Sequence, residues 1–511
     1  MSGKHGCWLI AAASVFLAAS VAVGGEEAGA PVAANDSAPL TFTGTELAAA
    51  PVAAAPVAGG DAKSASASHP AACPFCDMKN GITKLVPWLS VGADFRFREN
   101  YGQNIKTLQN RQTWHFERYR TRLWWKVSPC DDVSFNFRLV YEPYVYDHPT
   151  DQVSPANNEA LFDEMNVEWK KFLGLPVTLK VGRQDINLGD KWLIYDGTPG
   201  DGSRTFFFDA VRATITCDPQ TKSSLDLIYL NNRANSSARI RPFSDQGVEL
   251  AEMDSQGVIV YGSNKSIQDT TLEPYFIYKH DEWITAPQRA DIYTFGLRTV
   301  RNFGEHWVTS GELAKQFGHK QGRELDSLGF NGRVTYKFKD PHDSEVYAGY
   351  EFDSGDKPGS RGRDEGFDRL WGRNTEWSDL YNGYIDSIEG PKAMSTNLHR
   401  ISMGWQASFA DPCGCVFSNV AKPYTVVLEH NVLFADENNA YVAGISPSSG
   451  KTGFSTEGNF RGQLPRAQLL YKFNEHVSGQ FLAEFFFPGD FYTDLRNDVA
   501  LFLRYQLVVT W

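Results

Sequence analysis

From Val86 to the final residue the chain repeats one pattern. Segments of roughly ten residues alternate apolar and polar side chains, and connections rich in Asp, Pro, Gly and Asn separate them. Successive side chains of a strand point to opposite faces, so each segment presents one oily face and one polar face. Leu89, Val91, Ala93, Phe95 and Phe97 share a face, and Ser90, Gly92, Asp94, Arg96 and Arg98 share the other. Tyr119, Leu123, Trp125 and Val127 likewise oppose Arg118, Arg120, Arg122 and Lys126. Phe135, Phe137, Leu139 and Tyr141 oppose Asn136, Arg138 and Glu142, and Ile401, Met403 and Trp405 oppose Arg400, Ser402 and Gln406. A helical period is almost absent.

A soluble sandwich would turn the oily faces inward and keep few aromatics outside. Aromatic residues make up 13% of this chain, and the polar faces carry charge after charge. No run approaches the roughly 18 apolar residues that a membrane helix needs. Counting segments gives about eighteen strands at about 24 residues per strand and connection, with short and long connections in alternation, which are the proportions of a membrane barrel. The expected fold is therefore all-β: a transmembrane antiparallel β-barrel with short periplasmic turns and long extracellular loops. Outer-membrane lipid would cover its oily stripes. The last strand agrees. Leu501, Leu503, Tyr505, Leu507, Val509 and Trp511 alternate with Phe502, Arg504, Gln506, Val508 and Thr510. Bacterial outer-membrane barrels end on such an aromatic strand, which the barrel insertion machinery reads.

The N-terminus has the export pattern. Lys4 and His5 precede an apolar stretch from Trp8 to Val23, and small residues follow at Gly24, Gly25, Ala28 and Ala30. Residues 1–25 are thus expected to be a signal peptide, 26–85 an Ala/Pro-rich periplasmic leader lacking core-building residues, and 86–511 the barrel. An exported chain meets an oxidising compartment. Cys73-Pro-Phe-Cys76 has no strand–helix context for redox chemistry and no second pair for zinc, so a structural disulfide, or none, is the stronger reading. Cys413-Gly-Cys415 is too close-set for a good zinc pair. Cys130, Cys217, Cys413 and Cys415 all fall in or beside turns on the periplasmic side, where disulfides between neighbouring turns are feasible without a readable pairing.

Formal net charge is -12, which excludes a general nucleic-acid binder. No G-x-S-x-G, HExxH or P-loop occurs, and the chain is not expected to be an enzyme. The inward faces nevertheless carry many cations. Arg96, Arg98, Arg118, Arg120, Arg122 and Arg138 come from three neighbouring strands. Lys180, Arg212, Arg298, Arg333, Lys337, Arg400, Arg466 and Arg504 join them from elsewhere on the wall. Guanidinium groups present planar paired donors suited to carboxylates and phosphates, and rings of such groups in a pore select anions. Lumen acids are Asp94, Glu142, Glu164, Glu168, Glu312 and Glu351. Any single arginine is expected to brace the wall against these acids, while the set leaves some cations lining a constriction. The connection from Ser354 to Ser395 is rich in acids, among them Asp356, Asp364, Glu365, Asp368, Glu376, Asp379, Asp386 and Glu389. Carboxylates at that density suit calcium. Arg361, Arg363, Arg369 and Arg373 are interleaved with them, which favours a solvated, self-paired loop, and no cofactor is expected.

Leu179-Lys-Val-Gly-Arg-Gln-Asp185, then Gly189-Asp190, then Arg204-Thr-Phe-Phe-Phe-Asp-Ala-Val-Arg212 resemble the alginate export family of outer-membrane porins. Gly311-Glu312 with Gln316, and Tyr350-Glu-Phe-Asp-Ser-Gly-Asp356 leading to Gly366-Phe-Asp-Arg-Leu-Trp-Gly372, resemble it as well, and the likeness runs from Trp88 to Trp511. The resemblance implies a monomeric barrel of eighteen strands and a narrow, positively charged pore passing a polyuronate from periplasm to exterior. It implies Arg96, Arg118, Arg120, Arg138, Arg183, Arg212 and Arg466 as the conduit, although strict alternation from Leu179 would turn Arg183 outward. The expected function is an anion-selective channel for an anionic, alginate-like polysaccharide. A general porin for small anions or sugar acids is the nearest competitor. An enzyme or adhesin built on a barrel is a third reading, which the missing motifs disfavour.

Overall fold

The computed structural model describes residues 84–511 and Gly81, apart from 106–107, 109–112, 151, 196–206, 235–239, 251–252, 284–288, 373–376, 386–395, 412–419, 439–457 and 493–495. The expected signal peptide, nearly all of the leader, and Cys73, Cys76, Cys413 and Cys415 lie outside the described residues.

Alternating segments become long strands joined in sequence order. They are β1 Leu89–Gln103, β2 Thr113–Cys130, β3 Val133–Tyr141 continued by Tyr144–His148, β4 Ala160–Trp169, β5 Val177–Gln184 and β6 Phe208–Asp218. Next come β7 Ser223–Asn232, β8 Met253–Ser263, β9 Thr270–Trp283, β10 Arg289–Phe303, β11 Trp307–Lys320 and β12 Arg323–Lys337. The wall is completed by β13 Glu345–Asp353, β14 Leu398–Phe409, β15 Tyr424–Phe434, β16 Phe460–Lys472, β17 Val477–Pro488 and β18 Ala500–Thr510. Tyr144–His148 continues β3 along the same neighbour, and Arg363–Asp364 pairs in parallel outside the wall. Eighteen antiparallel wall strands result, and β1 pairs with β18 from Asp94↔Thr510 to Gln103↔Leu501, which closes the barrel. Closure leaves the wall with no exposed sheet edge.

Burial follows the alternation. Along β1, Asp94, Arg96, Arg98 and Asn100 are buried and Phe95 is exposed. Leu123, Phe135, Met403, Leu428 and Phe481 are also exposed large hydrophobics, with Met403 at 64%. Apolar outside and charged inside is the inversion expected of a wall whose outer solvent is hydrocarbon. Among the described residues no helix is long and apolar enough to cross a membrane; the strands do so.

One connection departs from the expected alternation of short and long, since it falls on the side of the long connections. β11 and β12 are joined by Gln321-Gly322 with φ of 52° and 79°, a two-residue turn whose positive φ values match the twist of a hairpin. Cys217, at the turn after β6, is disulfide-bonded, and Cys130, at the turn after β2, is an exposed free thiol.

The interior departs from expectation in one respect. The connection after β13 is only in part a solvated loop: Lys357–Arg363 is largely exposed, and Arg373, Glu376, Asp386 and Glu389 lie outside the described residues. Its segments 366–372 and 377–385, together with 186–195 from the connection after β5, fold into the barrel and pack on inward-facing apolar residues. Ile186, Trp192, Ile194, Phe367 and Leu370 pack against Ile228, Leu230, Ile259, Ile277 and Ile292. Trp377, Leu380, Tyr381 and Ile385 pack against Leu433, Leu464, Leu482, Phe486 and Phe502. The inner face is therefore charged in part and apolar where these segments rest. Burying such side chains stabilises each by about 1.5–3 kcal/mol, which holds the inserts in place.

Candidate functional site: the inner wall

The charged part of the lumen begins with the register of β1 against β2. Asp94 lies opposite Arg122, Arg96 opposite Arg120, and Arg98 opposite Arg118. Like charges directly opposite one another destabilise a sheet, so two guanidinium pairs in succession are costly for structure alone. Carboxylates moderate the cost. Arg96 Nη2 and Arg118 Nε lie 2.5 and 2.8 Å from Glu142 Oε1. Arg122 Nε donates to Asp94 Oδ2 at 2.8 Å, and Arg120 Nη2 lies 3.5 Å from Asp94 Oδ1. Arg98 Nε donates to Gln506 Oε1 on β18 at 2.5 Å. Next to it, Arg504 donates from Nε to Asn100 Oδ1 at 2.8 Å and lies 2.8 Å from Asp379 Oδ1 through Nη1. The result is a belt of guanidinium groups across β18, β1, β2 and β3, with Arg96, Arg98, Arg118 and Arg120 at most 1% exposed.

Further round the wall Arg138, Lys180, Arg212, Arg298, Arg333, Arg400 and Arg466 each have an acid or a ring. Arg138 donates from Nε to Asp163 at 2.7 Å and grips Asp185 with both terminal nitrogens at 2.9 Å. Lys180 Nζ lies 3.3 Å from Glu164 Oε1, and Glu168 lies across the strand pair from Lys180. Arg212 grips Asp226 at 2.8 and 2.9 Å. Arg298 bridges Glu273 at 2.6 Å and Asp190 at 2.5 Å. Arg333 lies 3.8 Å from Glu345 and 3.5 Å over the Tyr347 ring. Arg400 meets Glu351 at 2.8 Å and Arg466 meets Glu484 at 2.9 Å. Glu312 accepts from the Tyr275 hydroxyl at 2.8 Å.

Arg183, expected in the conduit, does not line it. The β5–β6 register runs unbroken from Val177↔Ile215 to Gln184↔Phe208, so parity with inward Lys180 turns Arg183 outward. There it is buried all the same, paired with Asp209 at 2.9 Å, stacked 3.6 Å over Phe207 and covered by the backbone of Ile240. It lies on the outward side of the wall and does not face the lumen.

The inserts are tied down by polar contacts that the alternation does not reveal. Arg369 joins Glu351 at 2.5 Å and donates from Nε to Asp353 Oδ2 at 2.8 Å. Asp368 meets Lys320 at 2.7 Å and Lys279 at 3.8 Å; burial opposes its ionisation, and the two ammonium groups overcome this and hold its pKa far below the usual carboxylate range. Asp356 is gripped by Arg323 at 2.8 Å through both oxygens. Glu484 accepts from the Leu380 amide at 2.6 Å and from Ser378 Oγ at 3.2 Å, and Arg461 donates to the Tyr381 hydroxyl at 2.8 Å. Side-chain alternation does not single out Asp163, Asp226, Glu273, Arg461 or Glu484, and it leaves Asp379 in a loop expected to be solvated. Asp163 was hidden by a bulge that breaks the register at Arg138/Leu139. Asp185 and Asp190 stand in the Leu179–Asp190 stretch, whose inward fold side-chain periodicity does not show.

Those motif pieces meet in space. The Trp371 amide donates to Leu193 O at 3.1 Å, and the Trp192 and Phe367 rings stack with centroids 5.2 Å apart. The Gly189-Asp190 and Gly366–Gly372 stretches thus belong to one insert that narrows the lumen.

A family model described as "Alginate export" matches residues 87–500. A comparison with curated proteins finds no match. Among solved structures, OpdQ of Pseudomonas aeruginosa is similar at 11% identity and a TM-score of 0.51, covering 84% of this chain and 98% of that one. OccK8 (OprE) of the same organism is similar at 12% identity and a TM-score of 0.48, covering 83% and 98%. These neighbours are outer-membrane porins, and at such identity the likeness to OpdQ shows the fold alone. The matched span takes in every wall strand up to the start of the last, and the chain is an outer-membrane channel that belongs to the alginate export family.

Proposed function

We propose that this channel passes an anionic polysaccharide of the alginate-like, polyuronate class along an arginine-lined path. The observation that carries the reading is the facing of Arg96 with Arg120 and Arg98 with Arg118 on the inner wall. A structural wall gains nothing from two like-charge pairs in a row, whereas a carboxylate at every sugar ring would be attracted by each in turn. Conduction needs binding that is favourable enough to enter and weak enough to leave. A row of guanidinium groups already shared with Glu142 and Asp94 meets both demands, because the wall carboxylates temper the attraction that the row exerts on a passing carboxylate. The inserted segments support a chain-like cargo: a narrowed lumen favours a single extended strand. Recording single channels in planar bilayers while adding a uronate trimer or a neutral trisaccharide tests the proposal. Block by the uronate at much lower concentration is expected, and equal block by both sugars would point to a general porin instead.

A further inference from the structure

Asp379 is 3% exposed and sits inside the barrel on an inserted segment, yet neither of its carboxylate oxygens accepts a hydrogen bond. Its Oδ1 lies 2.8 Å from Arg504 Nη1. Arg98 and Arg466 are within electrostatic range of the same carboxylate. A buried acid in contact with a cation normally aligns with its donors, since an unsatisfied buried carboxylate is costly. This one has the charge contact without the aligned bonds. The segment does not depend on it for docking: Glu484 receives the Leu380 amide and Ser378 Oγ, Arg461 holds the Tyr381 hydroxyl, and Leu380, Tyr381 and Ile385 are buried among wall residues. Asp379 is thus dispensable for seating the segment and imperfectly held by the arginines it faces.

We propose that Arg98, Arg466 and Arg504 form a carboxylate-binding site of the inner wall, and that Asp379 occupies it as an internal stand-in for a uronate carboxylate of the cargo. This rests on the anion-path reading. A resident carboxylate keeps the site from trapping small anions. A polymer that brings several carboxylates at once displaces it, because neighbouring rings engage Arg96, Arg118 and Arg120 while one ring takes the place of Asp379.

The test uses the full-length channel in planar bilayers, with a uronate trimer as blocker. Asp379→Asn keeps the shape and removes the competing charge, and half-maximal block is expected at roughly tenfold lower uronate concentration, a difference of about 1.4 kcal/mol. Asp379→Glu should behave as the parent channel. An unchanged or raised blocking concentration in Asp379→Asn overturns the site, provided the parent channel prefers the uronate to a neutral trisaccharide; lack of that preference overturns the anion path itself. Should Asp379→Asn fail to assemble, Asp379→Ser removes the same charge with less bulk and is expected to lower the blocking concentration in the same direction; an unchanged or raised concentration in that variant overturns the site.

Discussion

Arg96 and Arg120 face each other directly across the first two strands, both buried on the inner wall, with Glu142 touching the first and Asp94 the second. The pair is held together against its own repulsion. Arg120→Gln should therefore cost the barrel only about 1 kcal/mol, well below the loss of a buried brace, since the repulsion from Arg96 disappears with the 3.5 Å contact to Asp94, which keeps Arg122. The same change should lower the preference for anions. Urea unfolding in detergent and the reversal potential in a salt gradient check the two halves. Clear destabilisation with unchanged selectivity would make Arg120 a brace.

Arg138 should behave in the opposite way. It holds Asp163 and Asp185 at once, and Asp163 is fully buried. Arg138→Gln leaves that carboxylate buried without its cation, at an expected cost of about 3–5 kcal/mol. A lower urea midpoint at constant slope is the anticipated result. A variant as stable as the parent would mean that water reaches Asp163.

Gly372 marks the contact between the two segments of one insert. A Cβ there would meet Trp192 O at 1.9 Å, so Gly372→Ala forces the 186–195 and 366–372 segments apart. The barrel wall does not depend on this contact. We expect a normally assembled channel with larger single-channel conductance. Parental conductance would place the narrowest point elsewhere.

Met403 tests the other side of the wall. It points outward near the middle of β14 and is among the most exposed apolar residues. Met403→Arg would place a charge in hydrocarbon and should cost about 2–4 kcal/mol of stability in a bilayer. Refolding into lipid vesicles with urea titration measures it. A cost near zero would contradict the assigned sidedness.

Much of this was readable from side-chain alternation. The faces of Leu89–Phe97, Arg118–Val127 and the last strand follow the expected parity, because a period of two has a single consequence once strands pair. The count of eighteen strands followed from the same signal. What alternation could not show is where the chain leaves the wall. Trp192, Phe367 and Tyr381 look like loop residues with stray aromatics, and only tertiary packing draws them inward. The acids on those segments were read as solvated and self-paired, whereas Asp356, Asp368 and Asp379 meet cations of the wall and its strand ends. Arg183 shows the reverse lesson. Family likeness suggested the conduit, unbroken register turned it outward, and register was right.

The central claim is that the path through this barrel favours anions. The most direct measurement is the reversal potential of the parent channel across a bilayer separating unequal potassium chloride solutions. The account predicts a potential of the sign set by chloride, moving toward zero when Arg96, Arg98, Arg118 and Arg120 are replaced together by glutamine. A potential of the sign set by potassium in the parent channel would contradict it.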